Sequence, residues 1–411
     1  MPEKSSPQPL HYAWIVVGLL FPVALLNYLD RQMLATMKSS MVGDLSGITS
    51  DAQWGFVLAS FKWVYAALSP IGGYIADRFS RRHVISVSLF AWSLMTWLTG
   101  HVTTYHELIA ARALMGISEA FYIPAALALI SDYHSGPTRS RAIGMHQTGI
   151  YLGLILGGFA GHVADVPHLG WRWAFSAAGL VGILYALPLF ALLRNPQQAA
   201  ASTAPALTPG RALGELFGNR NYLLLVLYFT LPAIAGWVIK DWMPVILKER
   251  FDLPQGEAGV IAVLYVQVAT IGGALLGGAL ADRWARKTPR GRIFVSAIGM
   301  TLFLPALFGL GNPRTVALAI VFLILFGIGW GFFDCNNMPI LCQITRPELR
   351  ATGYGIMNFV SISCGGFGDW GFGVLKSQGV PLTLIFGCFT GVALLSIINV
   401  LLIRPRETPT S

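Results

Sequence analysis

"GGYIADRFSRR", residues 72–82, returns as "GGALADRWARK", residues 277–287. Gly73, Asp77, Arg78 and Arg81 correspond to Gly278, Asp282, Arg283 and Arg286, each pair 205 positions apart. A basic loop that only orients a chain in a membrane needs no acid within it. Here the acid is repeated with the arginines. An aspartate at a helix end accepts from arginine side chains or neighbouring helix N-termini, and a glycine lets two helices approach closely. The duplicated stretch therefore reads as a gate, present once in each of two similar halves.

Working outward, the 411 residues are 55% hydrophobic and 11% charged, with a mean hydropathy of +0.61. Soluble domains carry roughly 25% charged residues, so this is the composition of a membrane protein. The apolar residues fall in runs near the ~20 that a helix needs to cross a bilayer, not in the short alternating segments of a barrel. Twelve spans are predicted, at 12–36, 52–76, 84–101, 107–133, 141–162, 172–193, 221–247, 257–281, 293–311, 315–342, 350–374 and 382–403. Segment 194–220, rich in Ala, Pro and Thr, reads as a cytoplasmic linker ending in a short amphipathic helix. The expected organisation is a six-helix bundle over 1–193, the linker 194–220, and a second six-helix bundle over 221–411. Each copy of the duplicated motif follows the second span of its half. Parallel-repeat transporters place their binding site near the midplane between two such halves.

Charge placement orients the chain. Of the 28 Lys and Arg, about 18 fall in the termini and alternate loops of one face and about 6 opposite, which puts both termini in the cytoplasm. The net charge of +9 thus reflects topology, and no nucleic-acid partner is expected. "MPEKSSPQPL" is polar and lacks a cleavage site, so the first span is expected to remain in the mature protein. Cys335, Cys342, Cys364 and Cys388 lie in spans with no CxxC spacing and read as small packing residues, with no metal site.

Four cations remain inside spans: Arg31, Lys62, Arg112 and Lys240. Asp30 precedes Arg31 in "NYLDRQ", and Glu119 lies seven residues after Arg112 in "ARALMGISEAFYIPAALALI", residues 111–130. That spacing puts both on one helix face, about 10 Å apart. Charges facing lipid would cost about 2.5–3.5 kcal/mol each, so the face is expected to look into the bundle or a hydrated cavity. Removal from water favours the neutral form of a carboxyl group, while a nearby cation favours the ionised form. Arginine stays charged and presents a fork suited to carboxylates. Asp30 and Glu119 are thus candidate proton carriers, and Arg31 and Arg112 candidate anion ligands. Protonating an acid releases its arginine for an anionic guest.

Further candidates for substrate binding are Tyr28, Lys62, Tyr65, Gln147, Asn336 and Asn337. Neighbours on a helix diverge by about 100°, so only one of the two asparagines is expected to face a cavity. Asp334 lies five residues before Pro339, as Glu119 lies five before Pro124, and is the candidate acid of the second half. Lys240 and Asp241 are read as an external gate or an interfacial pair.

The duplicated Gly-x-x-x-Asp-Arg-x-x-Arg-Arg/Lys pattern in a twelve-span chain resembles the major facilitator superfamily across essentially the whole sequence; Ser80 stands where that family usually has Gly. "NYLDRQ" together with "ARALMGISEAFYIPAA" is similar to the anion:cation symporter branch, which holds sugar-acid/H⁺ symporters and sialin. That resemblance implies proton coupling and anion binding at Asp30, Arg31, Arg112 and Glu119, with Tyr28 and Tyr65 contacting a sugar acid. Two departures are Ile150, where a glutamine is common in that branch, and the mid-span Lys62. Spinster-like lysolipid transporters share the first-span Tyr-x-Asp-Arg, the fourth-span Glu-Ala, "LISDY" and "GWRWAF".

The expected protein is an all-α, twelve-span secondary transporter of the bacterial inner membrane. It would carry a small organic anion with a proton by alternating access, as a monomer and without a cofactor. The alternatives are a Spinster-like amphiphile transporter or a neutral sugar/H⁺ symporter. The chain has no GxxxxGK[ST] phosphate loop and no GxSxG turn, and its loops leave no room for a soluble catalytic domain, so an enzyme is not expected.

Overall fold

The apolar runs become helices because a backbone in hydrocarbon must satisfy its own polar groups. A computed structural model describes residues 10–134, 138–195 and 209–405. In it, α1 spans Leu10–Thr36, α2 Lys38–Asp44, α3 Asp51–Arg78, α4 Arg81–Thr99, α5 Tyr105–Glu119 and α6 Tyr122–Tyr133. These are followed by α7 Arg139–Asp165, α8 Gly170–Leu192, α9 Pro209–Phe217, α10 Arg220–Phe251 and α11 Gln255–Ala285. The last four are α12 Gly291–Leu310, α13 Val316–Ile344, α14 Arg350–Ser377 and α15 Leu382–Leu402. Setting aside the short α2 and α9, and counting α5 and α6 as one, the long segments follow the twelve predicted spans.

Among the described residues, eight segments are long and apolar enough to cross a membrane by length and composition alone. The other four are α3, α4, α7 and α14. Their shortfall has a cause: α3 carries Lys62, α14 carries Asp369 and seven glycines, and α7 opens on Arg139 and Arg141. The segments least suited to lipid are largely those that bring polar groups inward.

The fourth span is not one helix. Residues 120 and 121 form a turn between α5 and α6. Pro124 explains it, since proline has no N–H to give the carbonyl four residues back and its ring crowds that oxygen. Glu119 is left as the last residue of α5. Pro339 does not interrupt α13 in the same way.

By contact the chain forms two units. One holds α1, α2, α3 from Ala67 onward and α4–α8; the other joins residues 48–66 to α9–α15. Residues 48–66 thus depart from the division at 194–220 that the sequence suggested. Missing side chains on both helices explain their grouping. A Cβ on Gly55 would lie 2.6 Å from the Asp369 carbonyl oxygen, and one on Gly366 2.6 Å from Trp63 Nε1. Trp63 Nε1 also donates to the Ser363 carbonyl at 3.2 Å.

The internal repeat extends to packing. In the first unit α1 packs on α7 and α4 on α8; in the second α10 packs on α14 and α12 on α15. Gly149, Gly153 and Gly157 line the α7 face against α1, where a Cβ on Gly153 would collide with the Leu25 carbonyl. Small residues at this spacing let backbones meet.

The linker helix α9 is present, with Ala212 and Leu216 buried. Its Glu215 pairs with Arg346, which follows α13.

Candidate functional site

In the first unit the helices deliver four charges to one place. Asp30 and Arg31 come from α1, and Arg112 and Glu119 from α5. Asp30, Arg112 and Glu119 are 2%, 3% and 0% exposed, which excludes a lipid-facing or solvated role. Arg31 Nε donates to Glu119 Oε2 at 2.6 Å, and Arg31 Nη2 closes an ion pair to the same oxygen. Asp30 does not pair with its sequence neighbour in this way; its Oδ2 accepts from the Thr96 hydroxyl of α4 at 2.8 Å. Both arginines lie within Coulombic range of both acids. Arg112 Nη1 rests on Met115 Sδ at 3.0 Å. The Tyr28 ring lies 4.8 Å from the Arg31 guanidinium, a cation–π contact.

Two cations and two acids balance, so the cluster can be buried without net charge. Its chemistry is conditional. Glu119 ionised holds Arg31; Glu119 protonated gives up the ion pair and leaves the guanidinium fork able to accept another carboxylate or phosphate.

Just beyond the break in the fourth span, Tyr122 of α6 is fully buried and its hydroxyl lies 2.9 Å from His146 Nε2. His146, in the first two turns of α7, is 1% exposed.

Lys62 has a different setting from that expected. It is 4% exposed and is gripped by two carboxylates, Asp241 Oδ2 on α10 and Asp369 Oδ2 on α14. Its Nζ also lies 4.4 Å from the Trp237 ring centroid. A substrate-binding cation would have to leave both acids, so the geometry gives Lys62 an internal role in this arrangement. Asp241 is buried as well, which corrects the interfacial reading. Asp369 is the acid that sequence reasoning missed. The signal was available: a lone aspartate inside the glycine-rich run "GGFGDWGFG" is as costly in lipid as the residues that were singled out.

The remaining candidates divide. Tyr65 is buried with its ring 5.8 Å from Phe61, a packing position. Gln147 is half-buried on α7. Asn336 donates to the Phe332 carbonyl of its own helix at 3.0 Å. Asn336 Oδ1 and both side-chain polar atoms of the 1%-exposed Asn337 have no hydrogen-bond partner among the described residues, so Asn337 has the greater free capacity. Asp334 keeps surface access on α13 while being closely surrounded by protein, whereas Glu119 has none. Its helix is continuous through Pro339, so the local break that ends α5 at Glu119 is absent.

At the duplicated motif, the side chains of Gly73 and Asp77 lie outside the described residues. Arg78 is exposed, and Arg81 pairs with Asp132. In the second copy Asp282 Oδ1 accepts from Arg292 Nη2 at 2.5 Å, while Arg283 and Arg286 are exposed. Gly278 is not a close-packing position: a Cβ there meets nothing within 4 Å. The close approaches seen among the described residues are at Gly72 in the first copy and Gly277 in the second. A Cβ on Gly72 would lie 2.5 Å from the Ala120 carbonyl oxygen, and one on Gly277 3.0 Å from Phe332 Cα. Gly72 therefore packs on the carbonyl that Pro124 leaves without its helical donor.

Among the described residues, twelve helical segments in repeated packing, with charges buried inside each unit, describe a polytopic helical membrane protein. The Major Facilitator Superfamily model matches residues 20–368, and the chain belongs to that superfamily. Among curated relatives, it is 27% identical to protein spinster of Drosophila melanogaster over 87% of this chain; the match covers only 60% of the fly protein. It is 29% identical to an MFS-type efflux pump of Mycolicibacterium smegmatis, over 89% of this chain and 85% of that one. Among solved structures, a bacterial homologue of the human lysosomal transporter Spinster, inward-facing and unoccupied, superposes with a TM-score of 0.77. It is 20% identical and covers 97% of this chain and 95% of its own, a likeness of fold.

Proposed function

We propose that the chain is a proton-coupled secondary transporter of an organic anion, working by alternating access. Glu119 and Asp30 carry the proton, and Arg31 and Arg112 take the negative group of the cargo. The observation that carries this reading is the buried Arg31–Glu119 pair, with Asp30 and Arg112 beside it. An ion pair removed from water is held firmly, and breaking it by removing one partner costs about 3–5 kcal/mol. A proton on Glu119 together with an anion on Arg31 replaces the pair without leaving a buried charge alone. That exchange couples the two loads.

A second cargo is favoured by one curated relative, the sphingosine-1-phosphate transporter SPNS2 of Xenopus tropicalis, 26% identical over 89% of this chain and 75% of that one. It is an amphiphile whose head group bears the negative charge and uses the same arginines. Uptake of labelled glucuronate and of labelled lysophosphatidylglycerol into proteoliposomes, with an inward proton gradient and with the gradient collapsed by an ionophore, separates the readings. Gradient-dependent glucuronate accumulation supports the sugar-acid reading, and gradient-dependent movement of the lysolipid alone supports the amphiphile. Transport indifferent to the gradient would overturn proton coupling.

A further inference from the structure

Lys62, Asp241 and Asp369 form a cluster that the coupling scheme above does not use. It lies wholly within the second unit, with one residue from each of α3, α10 and α14. Lysine has three donors and no acceptor, and two of its donors are committed to the two Oδ2 atoms. Both carboxylates therefore crowd one ammonium group. Asp369 is 0% exposed, Lys62 4% and Asp241 7%. Fully ionised, the site would hold two negative charges against one positive, out of contact with water.

Other charges on these helices do not restore the balance. Lys240, on α10, lies 4.9 Å from the Trp237 ring centroid and is half-buried, so it keeps access to water. Lys376, toward the end of α14, is engaged by Asp51 of α3 at 2.6 Å and Glu249 of α10 at 2.9 Å. Those acids sit 11 and 8 residues along their helices from Lys62 and Asp241, about 12–16 Å by helical rise. The Trp237 ring caps Lys62 with the negative face of its π system, which adds no positive charge. Asp369 Oδ1 is buried and has no hydrogen-bond partner among the described residues. Two carboxylates forced together over one cation do not both stay ionised when water is excluded.

We propose that Lys62, Asp241 and Asp369 form a second proton-binding site, in which the two carboxylates share one proton. With that proton the site is neutral: one ammonium, one carboxylate and one carboxylic acid. Removing either acid leaves a one-to-one ion pair and no reason to hold the proton. The second unit thus has a proton stop of its own, separate from Asp30 and Glu119, and the number of protons moved per cycle is not set by the first unit alone.

Infrared spectroscopy of the purified resting protein at neutral pH tests this, by difference between wild type and variants in the carboxylic-acid C=O region. Asp369→Asn and Asp241→Asn conserve side-chain volume and leave Lys62 one partner. Each is expected to remove the same single carboxylic-acid band, and Glu119→Gln to leave that band in place. A Lys240→Gln variant is likewise expected to retain it. If either aspartate variant folds and loses only ionised-carboxylate intensity, with the carboxylic-acid region unchanged, the shared proton is refuted. One folded variant suffices for the decision. The measurement needs no cargo and no gradient, so its outcome is independent of the proposed symport.

Discussion

The two units each bury a cluster of charges, and the clusters differ in balance. In the first, Arg31 and Arg112 face Asp30 and Glu119, two against two. In the second, Lys62 faces Asp241 and Asp369, one against two. A balanced cluster can exchange partners: release of one internal pair by a proton admits one external anion. An unbalanced cluster has no spare cation to offer a guest, and its open capacity is for a positive charge. The difference also follows the residue types. Arginine keeps its charge and presents a fork for planar anions, whereas lysine is a compact ammonium that suits several oxygens converging on one point.

The comparison is most sharply tested by removing single partners. Glu119→Gln mimics the protonated acid permanently, so gradient-driven accumulation should be lost while counterflow exchange of the cargo survives. Next in size is Lys62→Met, which strands two buried acids and should lower stability by about 3–5 kcal/mol, read as a fall in melting temperature of the purified protein. Asp369→Asn should be far milder, because a one-to-one pair remains; a loss as large as that of Lys62→Met would show that the second cluster is not over-supplied with acid. At the duplicated motif, Gly277→Ala pushes a methyl group onto Phe332 and should cost about 1–3 kcal/mol. Gly278→Ala should change little, since its Cβ would meet open space. The smallest effect is expected from Lys376→Ala. Its ion pairs are partly exposed and pairs of that kind contribute about 0.2–1 kcal/mol, less in high salt.

Much of this was legible in the sequence, and the failures are instructive. Twelve apolar runs and the 205-residue repeat predicted the helices and their doubling, because lipid imposes a length and a composition on every span. Arg112 and Glu119 could be placed on one face from helical periodicity alone. The partner of Glu119, however, is Arg31 on another helix, and Asp30 beside it turns to Thr96. Sequence adjacency says nothing about which side chain reaches across a bundle. Lys62 was recognised as an interior cation, but its two acids lie 179 and 307 residues away, so its neutralisation was invisible. Asp369 was passed over because the glycines around it made the run look featureless. Those same glycines bring α3 close enough for the contact. In the second copy of the motif the close approach is at Gly277 and not at Gly278, and a GG pair does not reveal which member faces the neighbouring helix.

The central claim is that Glu119 ties proton to anion through Arg31. The most direct test is transport of the labelled cargo in proteoliposomes bearing wild-type protein or Glu119→Gln, with an inward proton gradient for accumulation and with preloaded unlabelled cargo for counterflow. The account predicts that wild type does both and that the variant exchanges cargo without accumulating it. Accumulation by Glu119→Gln at the wild-type level would contradict the account.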